Sequence, residues 1–311
     1  MARLVIENAQ DAGARSQLVS CESKTGLSGM HNISKPVDNP ALRVVSFGAG
    51  VQSTVMLLMA CRREIGPMPD VAIFADTQWE PKQIYKHLEW VKAEVARLTN
   101  GQVPVLTVSA GDIRADHLAG LNTTGQRIAS MPLYTEGGKG MGRRQCTKEY
   151  KIDPITKEIR RLLGVEKGKR VPKNMIVEQW LGISSDELQR LKNSRIKWIV
   201  HRWPLIEALM SRADCRAWFE RKYPGIELVK SACIGCPFKD YKMWQALKLI
   251  LEEWNDACDF DEAIRLNGSK LSKMNSQQYV HRSGTPLRTA YLGDTSTSDF
   301  FQEECEGMCG V

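Results

Sequence analysis

The sequence has none of the apolar segments that mark membrane or secreted proteins. No apolar run approaches the roughly 20 residues that a helix needs to cross a bilayer. The stretch from Met1 to Glu7 lacks the apolar core of a signal peptide. Internal repeats and long low-complexity tracts are also absent, which argues against a repeat architecture. We therefore expect a cytoplasmic protein without a membrane partner.

Two common nucleotide-binding motifs are missing from the stretch around which the chain is organised. A strand-like run at 44–47 leads into a turn of small residues, and an apolar, helix-like segment at 55–60 follows. No Gly-Lys-Ser/Thr closes the turn, so it is not a Walker loop, and Gly48-Ala49-Gly50 lacks the third glycine of the dinucleotide fingerprint. The glycines and the helix N-terminus still suit an anion, although a plain βα turn explains the same residues.

The composition fits a globular protein that handles metals or thiols. The chain has 311 residues, of which 42% are apolar and 25% charged, enough for one large α/β domain with an appendage or for two small domains. Its formal net charge of +7 fits phosphate-bearing ligands or nucleic acid, and a solvated basic surface is the alternative. The chain has nine cysteines. Because we expect it in the cytosol, this number argues against a disulfide framework and favours metal or redox chemistry.

Strand-like and helix-like segments alternate from Leu42 onward. The segment 81–98 carries its apolar residues at helical spacing, and another helix is expected after Pro154. This alternation predicts an α/β fold, a Rossmann-like parallel sheet flanked by helices, with a smaller, mostly helical, cysteine-containing C-terminal region. The strand candidates are 44–47, 71–75, 103–108, 176–184 and 195–201.

We divide the chain into three regions. Residues 1–40 have no sustained pattern and form an N-terminal extension, 41–212 form the nucleotide-binding domain, and 213–311 form a cysteine-containing helical region that ends in a thiol-bearing tail. Within the last region, the apolar spacing predicts one amphipathic helix over 239–254. The segment 119–145 is rich in glycine and reads as a long loop, which is typical of functional or disordered segments.

Several polar residues follow strand candidates, where parallel sheets bind their ligands. Asp76 can accept a hydrogen bond from an adenine amino group or a ribose hydroxyl, and capping of the next helix is the alternative. Arg143 and Arg144 end the glycine-rich segment, and their forks of donors suit phosphates unless they are ordinary solvated charges. Glu187 and Arg190 are candidates for substrate binding, with a surface ion pair as the alternative.

The cysteines are the most specific chemical signal. Cys233 and Cys236 form a Cys-x-x-Cys knuckle, whose short spacing lets two thiolates bind one centre. Alone, the knuckle fits zinc, an iron–sulfur cluster or a redox pair. Two further ligands are needed, and Cys146 and Cys215 are the candidates; for Cys215 the alternative is a buried structural thiol.

The chain from about Leu42 to Leu287 resembles phage and bacterial proteins grouped with the phosphoadenylylsulfate (PAPS) reductase family, in the adenine-nucleotide α-hydrolase superfamily. Each shared motif is weak alone, and their order and spacing make the resemblance specific. The motifs are Ser46-Phe47-Gly48, Phe74-Ala75-Asp76-Thr77, Arg144-Gln145-Cys146-Thr147, Gly182-Ile183-Ser184-Ser185-Asp186-Glu187 and Ser231-Ala232-Cys233-Ile234-Gly235-Cys236-Pro237-Phe238.

The resemblance implies a pyrophosphate-type loop that binds ATP or PAPS, and it allows Mg²⁺ as an accompanying ion. Gln52 stands where the ATP-cleaving members usually carry Asp, so the resemblance implies nucleotide binding and leaves ATP cleavage open. The implied nucleotide-binding residues are Ser46, Phe47, Gly48, Ala49, Gly50, Gln52, Ser53, Thr54, Asp76, Arg143, Arg144 and Gly182.

The same resemblance implies an iron–sulfur cluster, most simply of the 4Fe-4S type, with zinc as the alternative. Cluster-binding reductases carry a cysteine pair before Lys-x-x-Pro and a later Cys-x-x-Cys, and here one cysteine precedes Lys151-Ile152-Asp153-Pro154. Without Cys215, a cluster held by three cysteines would leave one iron open to carry sulfur. The implied ligands are Cys146, Cys215, Cys233 and Cys236.

Three functions compete at this stage. The first is sulfur transfer, in which an adenine nucleotide activates a second substrate and a sulfur-donor protein supplies the sulfur. Nucleic acid is one candidate for that substrate. The second is reduction of PAPS or of adenylylsulfate (APS) to sulfite, with a thioredoxin-like protein as partner. The attacking thiol would be Cys305 or Cys309, because family members carry such a thiol in a Glu-Cys-Gly tail. The third is a non-catalytic zinc module that binds nucleic acid.

Overall fold

A five-stranded parallel sheet forms the centre of the protein. The structure is a computed structural model that describes residues 36–120, 131–266 and 277–293, and these belong to one compact unit. The strands are β1 (Leu42–Phe47), β2 (Val71–Asp76), β3 (Val105–Ser109), β4 (Tyr134–Thr135), β5 (Val177–Leu181), β6 (Ile199–Arg202) and β7 (Gln278–Tyr279). The sheet order is β3-β2-β1-β5-β6, and β4 pairs separately with β7 in antiparallel fashion.

Helices cover both faces of this sheet. They are α1 (Val51–Cys61), α2 (Lys82–Thr99), α3 (Ile113–Leu118), α4 (Asp153–Leu162), α5 (Pro204–Glu207), α6 (Arg212–Lys222), α7 (Tyr241–Lys248) and α8 (Leu251–Leu266). The prediction of an α/β, Rossmann-like parallel sheet flanked by helices is therefore confirmed. In the part of the chain that the structure describes, no helix combines the length and the apolar character needed to cross a membrane.

The alternation of side chains along the strands builds two separate cores. Val45 and Phe47 point to one face and pack with α1, whose eleven residues are all buried, whereas Val44 packs on the other face. There it meets Ile155 and Ile159 of α4. Because each face of this central strand is covered, Val44 and Val45 are both buried although they point to opposite faces.

A third core lies beyond the carboxyl end of β2 and contains α7 and α8. It holds buried Cys233, Cys236 and Cys258, with the partly buried Cys146 packed against it, together with Trp79, Trp244, Trp254 and Phe260. In contrast, α6 packs against α1, so the first part of the predicted C-terminal region lies with the sheet. The predicted extension over 1–40 lies almost entirely outside the described residues.

Two local predictions were wrong. The single helix expected over 239–254 is broken: α7 ends at Lys248 and α8 begins at Leu251, with Leu249 85% exposed between them. Leu247 and Trp254 are buried from two different helices, and no glycine or proline marks the break in the sequence. The described end of the expected loop over 119–145 is also structured, because β4 pairs with β7.

Two buried histidines make the fold sensitive to acid. His87 on α2 lies 3.0 Å from the Thr54 hydroxyl through Nε2, and neither ring nitrogen of His117 on α3 bonds to a described residue. Burial lowers the pKa of each histidine from 6.5 to about 4. The unfolded chain therefore binds protons more readily than the folded chain between these pH values.

We predict that the free energy of unfolding is greatest above pH 6.5 and falls as the pH drops toward 4. Each histidine contributes about 3 kcal/mol to this loss, from 1.36 kcal/mol per pKa unit. Between pH 7 and pH 4, the free energy of unfolding of His117→Leu should therefore fall by about 3 kcal/mol less than that of the parent chain. Urea unfolding at both pH values measures the difference. An identical pH dependence in both proteins would contradict this account of His117.

Candidate functional site

The turn after β1 has the geometry of an anion-binding strand–turn–helix. Gly50 is the N-cap of α1 and no side chain caps it, so the helix N-terminus keeps backbone donors. Ala49 adopts a left-handed φ of 56°, a strained conformation that is uncommon for a residue with a side chain. The turn lies at the carboxyl end of β1. The strand order of the sheet reverses between β1 and its neighbour β5, and parallel sheets bind their ligands at such a point.

Hydrogen bonds within the turn fix its shape. The backbone N–H of Gly48 donates to the Ser53 hydroxyl at 3.3 Å, and that hydroxyl donates to the Gly50 carbonyl oxygen at 3.4 Å. Residues 46–54 are all buried. The residues predicted to form the nucleotide loop are therefore brought together at one end of the sheet.

Gln52 belongs to a buried polar network rather than to the turn itself. Its Nε2 donates to Glu187 Oε2 at 2.8 Å and to the Ser184 hydroxyl at 3.3 Å. Glu187 also accepts from Arg190 at 2.8 Å and from Arg212 at 3.1 Å. The pair Glu187–Arg190 is thus a buried contact, not the surface ion pair that the sequence allowed. Gln52 Oε1 accepts no hydrogen bond from any residue in the described part.

The other predicted nucleotide-binding residues occupy different surroundings. Asp76 Oδ1 accepts from the Gln78 backbone at 2.8 Å and from the Tyr85 hydroxyl at 2.9 Å, so this carboxylate shapes the start of α2. Gly182 is buried at the end of β5, next to the network of Gln52. Arg143 is exposed, whereas the Arg144 guanidinium lies 4.8 Å from the centre of the Phe238 ring.

Three cysteines surround one small cavity beyond the end of β2. Cys233 and Cys236 are buried in the knuckle, and Cys146 reaches the cavity from the segment before α4. Thr77, Arg144 and Lys151 complete the polar part of its lining. The volume of about 20 Å³ holds roughly one water molecule.

A carboxylate that sequence reasoning did not single out also faces the knuckle. Glu80 Oε1 accepts from the Cys233 thiol at 3.4 Å and from the Thr77 hydroxyl at 3.1 Å, and Lys151 Nζ lies 3.8 Å away. Glu80 Oε2 is buried and accepts no hydrogen bond from the residues described. The signal that could have found Glu80 is its place four residues after Asp76, just past the end of β2.

A second buried lysine, Lys239, also lies close to the knuckle. Lys239 Nζ donates to the Ala232 carbonyl oxygen at 3.3 Å. Burial lowers the pKa of Lys239, while the nearby thiols of Cys236 and Cys233 act to raise it. Lys151 and Lys239 are thus two buried lysines near these thiols, and a lysine that is protonated beside a thiol favours the thiolate, the form that binds metals.

The knuckle is attached directly to the end of β2. The Ile234 backbone N–H donates to the Trp79 carbonyl oxygen at 2.8 Å, and the Trp79 indole donates to Asp256 at 2.5 Å. A Cβ on Gly235 would lie only 2.1 Å from the Trp79 ring, so only glycine fits this close approach. The spacing of the two cysteines is thus held by the segment that follows the strand.

Cys215 does not join the other three cysteines. It lies fully buried on α6, in the core that contains β1 and α1, whereas Cys146, Cys233 and Cys236 share the core beyond β2. The prediction that Cys215 is a fourth ligand is therefore at odds with the packing. Across 36–120, 131–266 and 277–293, no three His, Cys, Asp or Glu side chains are placed to hold a metal ion. Cys305 and Cys309 lie outside the described residues.

In comparisons with known proteins, no family model and no curated protein matches this chain.

We predict that Gln52→Glu lowers the free energy of unfolding by about 3 kcal/mol, because it places two carboxylates against each other in a buried site. The exchange variant Gln52→Glu/Glu187→Gln keeps one amide, one carboxylate and both arginines, so it should recover most of this loss. Urea unfolding of the parent, Gln52→Glu, Glu187→Gln and the double variant measures the coupling energy between the two side chains. Additive effects, with no recovery in the double variant, would show that the contact between these side chains is unimportant.

Proposed function

We propose that this protein is an adenine-nucleotide-binding sulfur-transfer enzyme that belongs with the phage and bacterial proteins grouped with the PAPS reductase family, which its motifs resemble. One observation carries the proposal. The anion-type turn follows β1, and the three-cysteine cavity lies beyond β2, the strand that pairs directly with β1. A nucleotide site and a thiol site on neighbouring strand ends suit chemistry that moves sulfur onto a nucleotide-activated group.

The residues of the turn would bind the phosphates of ATP. The N-terminus of α1 supplies backbone donors and a partial positive charge, and Gly50 lets the backbone approach closely. The unpartnered acceptor Gln52 Oε1 is a candidate partner for an adenine amino group or a ribose hydroxyl. Arg190 and Arg212, held by Glu187, keep positive charge in the same region.

The cavity brings together three thiols, and thiolates are the ligands that iron–sulfur clusters use. As the described residues are placed, these thiols do not form a metal site. Cys146, Cys233 and Cys236 would hold a cluster, and Lys151, which lines the same cavity, would offset part of the charge of the thiolates. Such a cluster supplies, when bound, a soft centre that can carry or position sulfur. A cubane cluster is larger than the present cavity of about 20 Å³, so its binding requires a wall to move outward. Cys146 is the least buried of the three thiols, so we expect the movement on its side of the cavity.

The proposed reaction has two halves. An oxygen of the second substrate attacks the α-phosphorus of ATP, and pyrophosphate leaves. The outer sulfur of a donor persulfide then attacks the activated atom, and AMP leaves with that oxygen. A second thiol of the sulfur-donor protein cleaves the resulting mixed disulfide, which releases the thiolated substrate and leaves a disulfide on the donor. The chain's own role is to hold the nucleotide at the turn and to keep the sulfur-bearing site next to it.

We predict that the protein purified without oxygen contains iron, and that Cys146→Ala, Cys233→Ala and Cys236→Ala each lose most of it. Cys215→Ala and Cys258→Ala are matched controls, because both remove a buried thiol that does not line the cavity. Iron content per folded protein and absorbance near 400 nm measure the effect. A colourless parent protein that contains zinc would favour the non-catalytic zinc module, and loss of iron in Cys215→Ala alone would contradict the ligand assignment.

We predict that the protein binds ATP more tightly than GTP and releases pyrophosphate from ATP when its second substrate and a sulfur donor are present. Isothermal titration measures binding, and a coupled pyrophosphate assay measures turnover. Sulfite released from PAPS, with no pyrophosphate from ATP, would contradict sulfur transfer and favour the reductive reaction instead.

A further inference from the structure

A long basic groove lies on the face of the protein covered by α4. Two adjoining cavities, of about 740 and 440 Å³, share Arg160 as a common wall. We call their combined lining the basic groove; it is formed by residues of the segment 154–176 together with Val108, Ser109, Lys197 and Trp198. It begins at Ser109 and Pro154, near the carboxyl end of β3, and continues along α4 into the segment that leads to β5.

The groove contains most of the excess charge of the chain. Eight of its lining residues are lysine or arginine, and two are glutamate, which gives a surplus of six positive charges. The formal net charge of the whole chain is +7. The basic character that the sequence shows as a bulk property is therefore concentrated on one surface.

Most of these cations have no counterion on the protein. Glu158 is bound by both nitrogens of Arg161, at 2.8 and 2.7 Å, and Arg160 donates to the Lys169 carbonyl oxygen at 2.6 Å. Within the described ranges, the other six cations form neither an ion pair nor a side-chain hydrogen bond. These six exposed residues are Lys157, Lys167, Lys169, Arg170, Lys173 and Lys197.

A concentration of unpaired like charges destabilises the folded chain, and a bound polyanion would offset this repulsion. Of the six unpaired cations, Lys157 lies on α4, four lie in the segment 167–173 and Lys197 lies before β6, so the free charge extends over several elements. The half-buried Trp198 adds an aromatic surface on which a base can stack. The groove thus combines extended positive charge with one aromatic ring.

An anionic membrane is a poorer fit for the same charge. Proteins that lie on membranes insert apolar side chains beside their basic residues. The large apolar side chains exposed in the described part include Leu209, Leu249, Leu251 and Leu266, and none of those exposed lies in the basic groove. A concave groove in which no large apolar side chain is exposed suits a strand of phosphates better than a lipid surface.

We infer that the basic groove binds the phosphate backbone of a nucleic acid. One end of the groove lies at the same edge of the sheet as the turn after β1 and the cysteine cavity, so a bound strand would extend toward the candidate site. As a statement about the substrate of the enzyme, the inference rests on the proposed function. As a statement about binding, it requires neither nucleotide nor cluster.

The test measures binding of the full chain, without added nucleotide, to fluorescent 30-nucleotide single-stranded DNA, duplex DNA and RNA by anisotropy at several salt concentrations. Six phosphate contacts predict a slope of log K against log [salt] of about −4 to −5. The variant K169E/R170E/K173E should bind at least about tenfold more weakly and reduce the size of the slope by about 2 to 3. The form that binds most tightly identifies the partner.

The control variant K86E/R216E/K242E reverses the same number of exposed cations outside the groove, so it should keep nearly the parent affinity. Thermal unfolding of both variants checks that the fold is intact. Equal weakening in both variants would overturn the inference, because net charge alone would then explain binding. Binding to phosphatidylserine vesicles, with none to any nucleic acid, would also overturn it, and either result would leave the proposed sulfur chemistry untouched.

Discussion

Parallel pairing of β1 with β2 places two chemically different sites side by side. The register from Val44–Val71 to Phe47–Phe74 ends both strands at the same edge of the sheet, so the turn after β1 and the segment after β2 must be neighbours. The segment after β2 contains Thr77 and Glu80 and is hydrogen-bonded to the cysteine knuckle through Trp79. Everything proposed about function depends on this adjacency.

Buried charge at this edge is arranged in two networks. Glu187 joins Gln52 to Arg190 and Arg212 beside the turn, and Glu80 joins Cys233 to Lys151 beyond β2. Each network centres on one buried carboxylate, and each contains a buried acceptor oxygen that no described residue satisfies. Buried acceptors without partners are costly in a folded protein, and ligand sites are where that cost is commonly offset.

The sequence predicts the sheet well because its signal is local. Apolar runs such as 71–75 and the helical spacing of 81–98 identify elements without knowledge of the rest of the chain. The break between α7 and α8 could not be predicted, because apolar spacing continues through Leu249 and no turn residue interrupts it. The strand order that brings β1 between β2 and β5 also depends on packing rather than on local pattern.

The site was predictable in its residue types but not in its partners. The Cys-x-x-Cys spacing identifies Cys233 and Cys236, and the structure adds Cys146 to them and places Cys215 in another core. Glu80 and Lys239 have ordinary sequence neighbours, and only burial beside the thiols gives them significance. Glu187 could be read as a surface charge until its contact with Gln52, 135 residues away in sequence, is known.

Anomalous diffraction at the iron edge, from crystals grown without oxygen in the presence of an ATP analogue, tests the central claim most directly. The account predicts iron bonded to the sulfurs of Cys146, Cys233 and Cys236, and nucleotide phosphates at the turn that follows β1. A zinc ion in place of iron, iron bound elsewhere, or phosphates away from that turn would contradict it.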